Sequence, residues 1–367
     1  MLNPVKESLS SFHIILLTYQ IQSGVVLFSL PGLLAEHFGT NGWMVTLFLS
    51  SIVMVNIFVI SLAYKYSKGT SIWVVLEDTF SKIVLYPFYI GLAVVWSILG
   101  CMVGKKYILL FQMLSFPTTN PMMFKFAMDV LAFLLLIKGL YNISKASTII
   151  FMLTVWIVFL EVFHIPEIEL SRYTTFFLQG GTDWVKGLLD GYSAFLGYEL
   201  AILFFPYVTK ESKLIRSVYI GNLVTTFVYL TVMIVCFGFY SYQQLAHMLY
   251  PVLDLLAFIQ LPFMARIENI LFTTFFLKTI VTTVLYFWAA KQALKRIFKR
   301  SNEKMISLSI IIFTFIIAFF PRVITEVDLW LTNLAYIETV IAFVLPLIVL
   351  SALFIQKMKR KGKDVSV

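Results

Sequence analysis

Long apolar stretches separated by short polar and basic connectors run through the chain almost from end to end. Taking about 20 apolar residues as one bilayer crossing, the pattern predicts ten helices, over 11–36, 43–63, 83–114, 122–137, 146–164, 184–207, 218–240, 267–290, 305–320 and 333–355. The fourth and ninth are short, and the third is long enough that it must tilt steeply or run past the bilayer. Two connectors carry patterns of their own. In 71–80, Trp73, Leu76 and Phe80 share one helical face, which predicts a short amphipathic helix lying at the inner surface. The segment 250–262 is apolar but too short to span, and it reads as a surface or re-entrant helix on the outer side.

Composition removes the soluble alternative. The 367 residues are 60% hydrophobic, 17% aromatic and only 13% charged, against about 25% charged in soluble domains. The net charge of +9 could suggest nucleic acid, but its placement points to topology. Lys6; Lys65, Lys68 and Lys82; Lys138 and Lys145; Lys210, Lys213 and Arg216; the cluster from Lys291 to Lys304; and the basic tail after Lys357 all fall on one side of a ten-span layout. The positive-inside rule then makes both termini cytoplasmic, and anionic lipid rather than nucleic acid accounts for the basic residues. Cys101 and Cys236 sit inside apolar runs and imply no disulfide framework. The first apolar run exceeds signal-peptide length without a small-residue cleavage site, so it reads as a retained span.

An odd number of spans in each half gives the halves opposite orientations, so residues 11–164 and 184–355 can form a five-plus-five inverted repeat. Gly24 and Gly197 fall at corresponding depths in the first and sixth spans, each followed by a proline, Pro31 or Pro206. Glycine in a membrane helix is often a packing residue. Here Gln20, Gln22 and Ser23 crowd the first and Gly191 and Glu199 the second, so both read as helix breaks at bilayer depth.

With those breaks placed, the chain resembles the B subunits of spore germinant receptors, the spore germination permeases of the amino acid, polyamine and organocation transporter superfamily. The resemblance runs essentially end to end. Ser23-Gly-Val-Val-Leu-Phe-Ser-Leu-Pro31 is similar to the family's first-span Gly-x-Gly-x-x-x-x-Leu-Pro signature, with Val26 where a second glycine is usual. Phe195-Leu-Gly-Tyr-Glu199 with Phe205-Pro206 and the basic loop from Lys210 to Lys213 resembles the sixth-span motif, and Tyr250-Pro251 and Arg266-Ile-Glu268 resemble elements near the eighth span. The resemblance implies a LeuT-like fold, residence in the spore inner membrane, and assembly with an A subunit and a lipoprotein C subunit.

A ligand wall is expected from Gln22, Ser23, Gly24, Val25 and Val26 of the first break and from Gly197, Tyr198 and Glu199 of the second. Broken-helix ends offer partial charges of both signs, which a small amino acid would satisfy. Val26 in place of glycine narrows the space for backbone approach, and Tyr198 also reads as a packed core aromatic. Glu199 reads as facing a cavity or cation, or as a structural pair or a carboxyl kept neutral by burial. Lys278, amid Thr279, Thr282 and Thr283, either takes the place of a coupling ion between the first and eighth spans or is structural glue that snorkels or pairs with Glu199 or Asp190. Arg266 and Glu268 read as an outer gate. Lys105 and Lys106 are expected to snorkel, and Asp129, Glu161 and His164 to sit near wet helix ends. His13, His37, His164 and His247 are scattered without metal-ligand spacing, no cofactor motif occurs, and no enzyme motif is present. Two functions fit: a sensor whose ligand shifts a conformational equilibrium passed to partner subunits, and a proton-coupled amino acid symporter.

Overall fold

The computed structural model describes residues 8–259 and 268–364. Among them every regular element is helical, and extended residues meet only in the isolated bridges Leu9 with Val208 and Gly39 with Gly180. A capping box starts α1 (Ser11–Gln22): Ser10 Oγ accepts the His13 N–H at 3.3 Å and His13 Nδ1 accepts the Ser10 N–H at 3.5 Å. The helix stops at Gln22, the chain passes through Ser23 and an extended Gly24, makes a 3-10 turn over Val25–Phe28, and resumes as α2 (Leu30–Phe38). Pro31 lies in the first turn of α2, where its missing N–H costs nothing.

The first half continues through α3 (Val45–Ser67), α4 (Ile72–Glu77), α5 (Lys82–Ser115), α6 (Pro121–Leu136) and α7 (Leu140–Thr154), which tightens into a 3-10 segment, Val155–Glu167. The second half opens on α8 (Trp184–Tyr192), which is interrupted in turn: a 3-10 turn over Ser193–Phe195, Gly197 at φ 114°, then a 3-10 segment over Tyr198–Tyr207. After it come α9 (Leu214–Phe239), α10 (Tyr242–Ala246), α11 (Pro251–Ala257), α12 (Glu268–Ile297), α13 (Glu303–Ile317) and α14 (Ile324–Asp364).

Among the described residues, seven helices are long and apolar enough to cross a membrane: Gly42–Ser67, Lys82–Ser115, Leu140–Glu167, Trp184–Tyr207, Leu214–Phe239, Ile270–Ile297 and Ile324–Lys359. Each remaining sequence-read span also coincides with helix but is short. The first is divided by its break, and α6 and α13 have only 16 and 15 residues. The outward faces suit lipid. Val55, Phe58, Phe126, Phe159 and Phe227 are exposed, which water would penalise and hydrocarbon would not. The predicted short helix between the second and third spans is present as α4, but Trp73 and Leu76 turn into the protein, with the Trp73 ring edge-on to Tyr89 at 5.0 Å.

The breaks lie at the centre of the bundle. α1 packs on α7, α9 and α12, and α12 runs along α5. Small residues let these helices approach closely. A Cβ on Gly100 of α5 would sit 3.0 Å from the Thr283 carbonyl oxygen of α12, and one on Gly221 of α9 would sit 2.7 Å from Thr18 of α1.

Candidate ligand site at two broken helices

A break at bilayer depth frees carbonyls that need donors, because no water is there to supply them. α9, α1 and α12 each supply one. Tyr229 Oη lies 2.7 Å from the Gln22 carbonyl oxygen and 2.8 Å from that of Ala194, so one hydroxyl serves both breaks. The Gln22 side chain is a second staple. Its Nε2 donates to the Phe195 carbonyl oxygen at 2.9 Å and to Asn222 Oδ1 at 3.0 Å, while its Oε1 accepts from Thr225 Oγ1 at 2.9 Å. From α12, Thr282 Oγ1 donates to the Gln20 carbonyl oxygen at 3.0 Å.

Between the breaks is a cavity of about 240 Å³. Gln22, Gly24, Val25 and Val26 of the first break line it, with Ser193 and Leu196 of the second. Ser23, Gly197, Tyr198 and Glu199 stand behind that wall, all buried. Ser23 Oγ turns back to the Tyr19 carbonyl oxygen at 2.6 Å. Tyr198 Oη accepts from Asn56 Nδ2 at 2.5 Å and lies 2.5 Å from Tyr192 Oη. The Gly197 N–H points at its own neighbour, Glu199, with Oε1 at 2.9 Å and Oε2 at 2.7 Å. Glu199 also lies within hydrogen-bonding distance of Glu338 on α14, whose Oε1 accepts from Trp96 Nε1 at 2.9 Å.

The two glycines are needed for different reasons. Gly197 has a positive φ, and a Cβ there would run into the Ile21 side chain, so the fold itself demands glycine. Gly24 has an ordinary extended backbone, φ −95° and ψ −158°, and no atom lies within 4 Å of where its Cβ would be. The protein's own packing gives no reason for glycine at 24. The open space beside it is the cavity.

Charge collects at one end of the cavity. Lys106 Nζ pairs with Asp328 Oδ1 at 2.8 Å, Tyr250 Oη donates to Asp328 Oδ2 at 3.4 Å, and Lys106 Nζ stands 5.6 Å from the centre of the Tyr250 ring. Asp190 also lines the cavity; it accepts from Tyr336 Oη at 2.5 Å, with His37 Nε2 at 4.0 Å. Lys106 is buried, and its ammonium is held by this acid. Lys105 is buried too, with its Nζ 3.2 Å from Met122 Sδ. The expected gate lies outside what is described: Arg266 is not among the described residues, nor is the Glu268 side chain.

Lys278 does not face this cavity. It lines a separate one of about 40 Å³ with Tyr19, Glu161 and His164, room for a few waters. Its Nζ stands 4.7 Å from the centre of the Tyr19 ring and 5.4 Å from that of Phe275. It pairs with neither expected acid, since Asp190 is held by Tyr336 and Glu199 faces Glu338. Two other charges expected near water are buried. Asp129 takes Lys125 Nζ at 2.5 Å, and His164 Nε2 lies 2.8 Å from the Leu255 carbonyl oxygen.

Sequence reading passed over Asn222, Thr225, Thr226, Tyr229 and Glu338. Their signals were present. The four α9 residues recur at helical spacing as a polar stripe in an apolar span, and Glu338 is an acid deep in the tenth span.

Comparison with known proteins identifies the family. Residues 8–327 match a family model described as spore germination protein. The chain is 23% identical over 322 residues to the spore germination protein GerQB of Bacillus cereus, covering 86% of this chain and 88% of that protein. It is 23% identical over 231 residues to the spore germination protein YndE of Bacillus subtilis, covering 62% of each. The seven apolar helices make the chain a multi-pass membrane protein, and the family match, which covers most of its length, places it in the spore permease family of spore germination proteins.

Proposed function

We propose that this chain is the membrane subunit of a spore germinant receptor, binding a small nutrient germinant, an amino acid, at mid-membrane and passing the change to partner subunits. The observation that carries this reading is the cavity between the two breaks, beside a glycine that packing does not require. The cavity has apolar walls, an ion pair of both signs at one end, Lys106 with Asp328, and a further acid, Asp190, in its lining. A zwitterion can exchange its own carboxylate and ammonium for that pairing, whereas a sugar or nucleoside cannot. A ligand that reorganises the breaks differently in two states shifts the equilibrium between them.

The rest of the proposal follows the repeat. The interval from Ser11 to Gly24 equals that from Trp184 to Gly197, and each glycine opens onto a 3-10 segment. We take the chain as ten crossings in a LeuT-like five-plus-five inverted repeat, 11–164 and 184–355, with both termini cytoplasmic in the spore inner membrane. An A subunit and a lipoprotein C subunit are the proposed partners. A proton-coupled amino acid symporter is the second reading, supported by the buried ionisable groups Lys278, Glu199 and Glu338 beside the breaks.

A thermal-shift screen of the purified chain against amino acids, sugars and nucleosides tests the ligand class. A saturable rise in melting temperature with an amino acid is expected. Stabilisation by sugars or nucleosides alone would overturn it. Flux of that amino acid into proteoliposomes holding this chain alone would select the symporter.

A further inference from the structure

Glu199 and Glu338 are 3% and 0% exposed, and they face each other within hydrogen-bonding distance at the second break. None of the ion pairs among the described residues includes either one. Glu199 accepts from backbone N–H groups of its own segment, that of Gly197 among them, and Glu338 accepts from Trp96 Nε1. Glu338 Oε2 is buried with no donor among the described residues. Two carboxylates so placed cannot both stay ionised, whereas a single proton between them turns one acid into a donor and satisfies the orphaned oxygen. The titratable groups facing the pair are neutral phenols: Tyr198 on the same segment, Tyr192 on α8 and Tyr286 on α12. From α3 and α5 come Asn56, which bonds Tyr198, and Trp96.

We propose that Glu199 and Glu338 form a proton-binding site at which one shared proton holds the second break closed. Glu199 is the link, since the same carboxyl accepts the shared proton and the Gly197 N–H. Losing the proton leaves two like charges that drive α14 and the break apart. A second proton neutralises Glu199 and weakens its hold on the N–H. Tyr286, which faces both acids, also lines the ligand cavity, so proton and ligand occupancy are coupled. That coupling rests on the cavity being the ligand site; the proton site itself does not.

The test is infrared spectroscopy of the full-length chain without ligand, titrated over pH, for the wild type and for Glu338→Gln and Glu199→Gln. Each glutamine keeps the shape and a hydrogen-bond donor while removing one charge. The wild type is expected to show a protonated-carboxyl band at neutral pH that both variants lose. A band unchanged in either variant overturns the proposal. So does a wild-type band that disappears on adding sodium at fixed pH, which would mark a metal cation as the occupant. The linkage is read from the pH profile of thiol labelling at Ser193→Cys. That profile is expected to change when Glu338→Gln is added, and an identical profile overturns the link between proton and break. If the band behaves as expected but pH leaves amino acid affinity unchanged, the cavity reading fails while the proton site stands.

Discussion

At residue scale the two break glycines are the sharpest contrast in the molecule. Gly197→Ala must accept a φ of 114° and push the Ile21 side chain aside. Strain and overpacking together should cost at least about 2 kcal/mol, read as a fall in melting temperature of the detergent-purified chain, while Gly24→Ala should leave it unchanged. Both positions are legible in the sequence as glycines with polar neighbours in apolar spans. The difference between them is not, because it depends on backbone angles and on Ile21, a residue of the other half of the chain. Glu199 shows the same limit. Its depth is readable, but its partner Glu338 lies more than a hundred positions away.

The element that holds the site together is α9. Its Tyr229 serves both breaks with one hydroxyl, and its Asn222 and Thr225 hold the Gln22 side chain that donates to the Phe195 carbonyl oxygen. Tyr229→Phe keeps the ring against Phe195 and leaves those two buried carbonyls with fewer donors. The expected loss is about 1–3 kcal/mol, measured by thermal unfolding, with ligand affinity falling in parallel because the cavity walls are no longer tied together. Spans are the most legible elements, since hydrophobic length reports burial in lipid directly. Where a polar or aromatic side chain turns within a span is less legible. Trp73 faces α5 rather than the surface, Lys106 finds Asp328, and Asp129 finds Lys125. Periodicity marks a face, but neighbours distant in sequence decide what that face meets.

For the whole molecule, the matching spacing of the two breaks is legible in the order of residues alone, as is the apolar exterior. What only the fold can supply is the convergence of both breaks, α9 and the charged end of the cavity on one space of about 240 Å³. The central claim is that a small germinant occupies that space against Gly24, and equilibrium binding of the stabilising amino acid to Gly24→Leu tests it most directly. A Cβ at 24 meets no protein atom within 4 Å, so the variant should fold with an unchanged circular dichroism spectrum while its side chain fills the cavity. Affinity should fall at least about a hundredfold, or about 2.8 kcal/mol. A correctly folded Gly24→Leu chain that binds the amino acid as tightly as the wild type would contradict the claim.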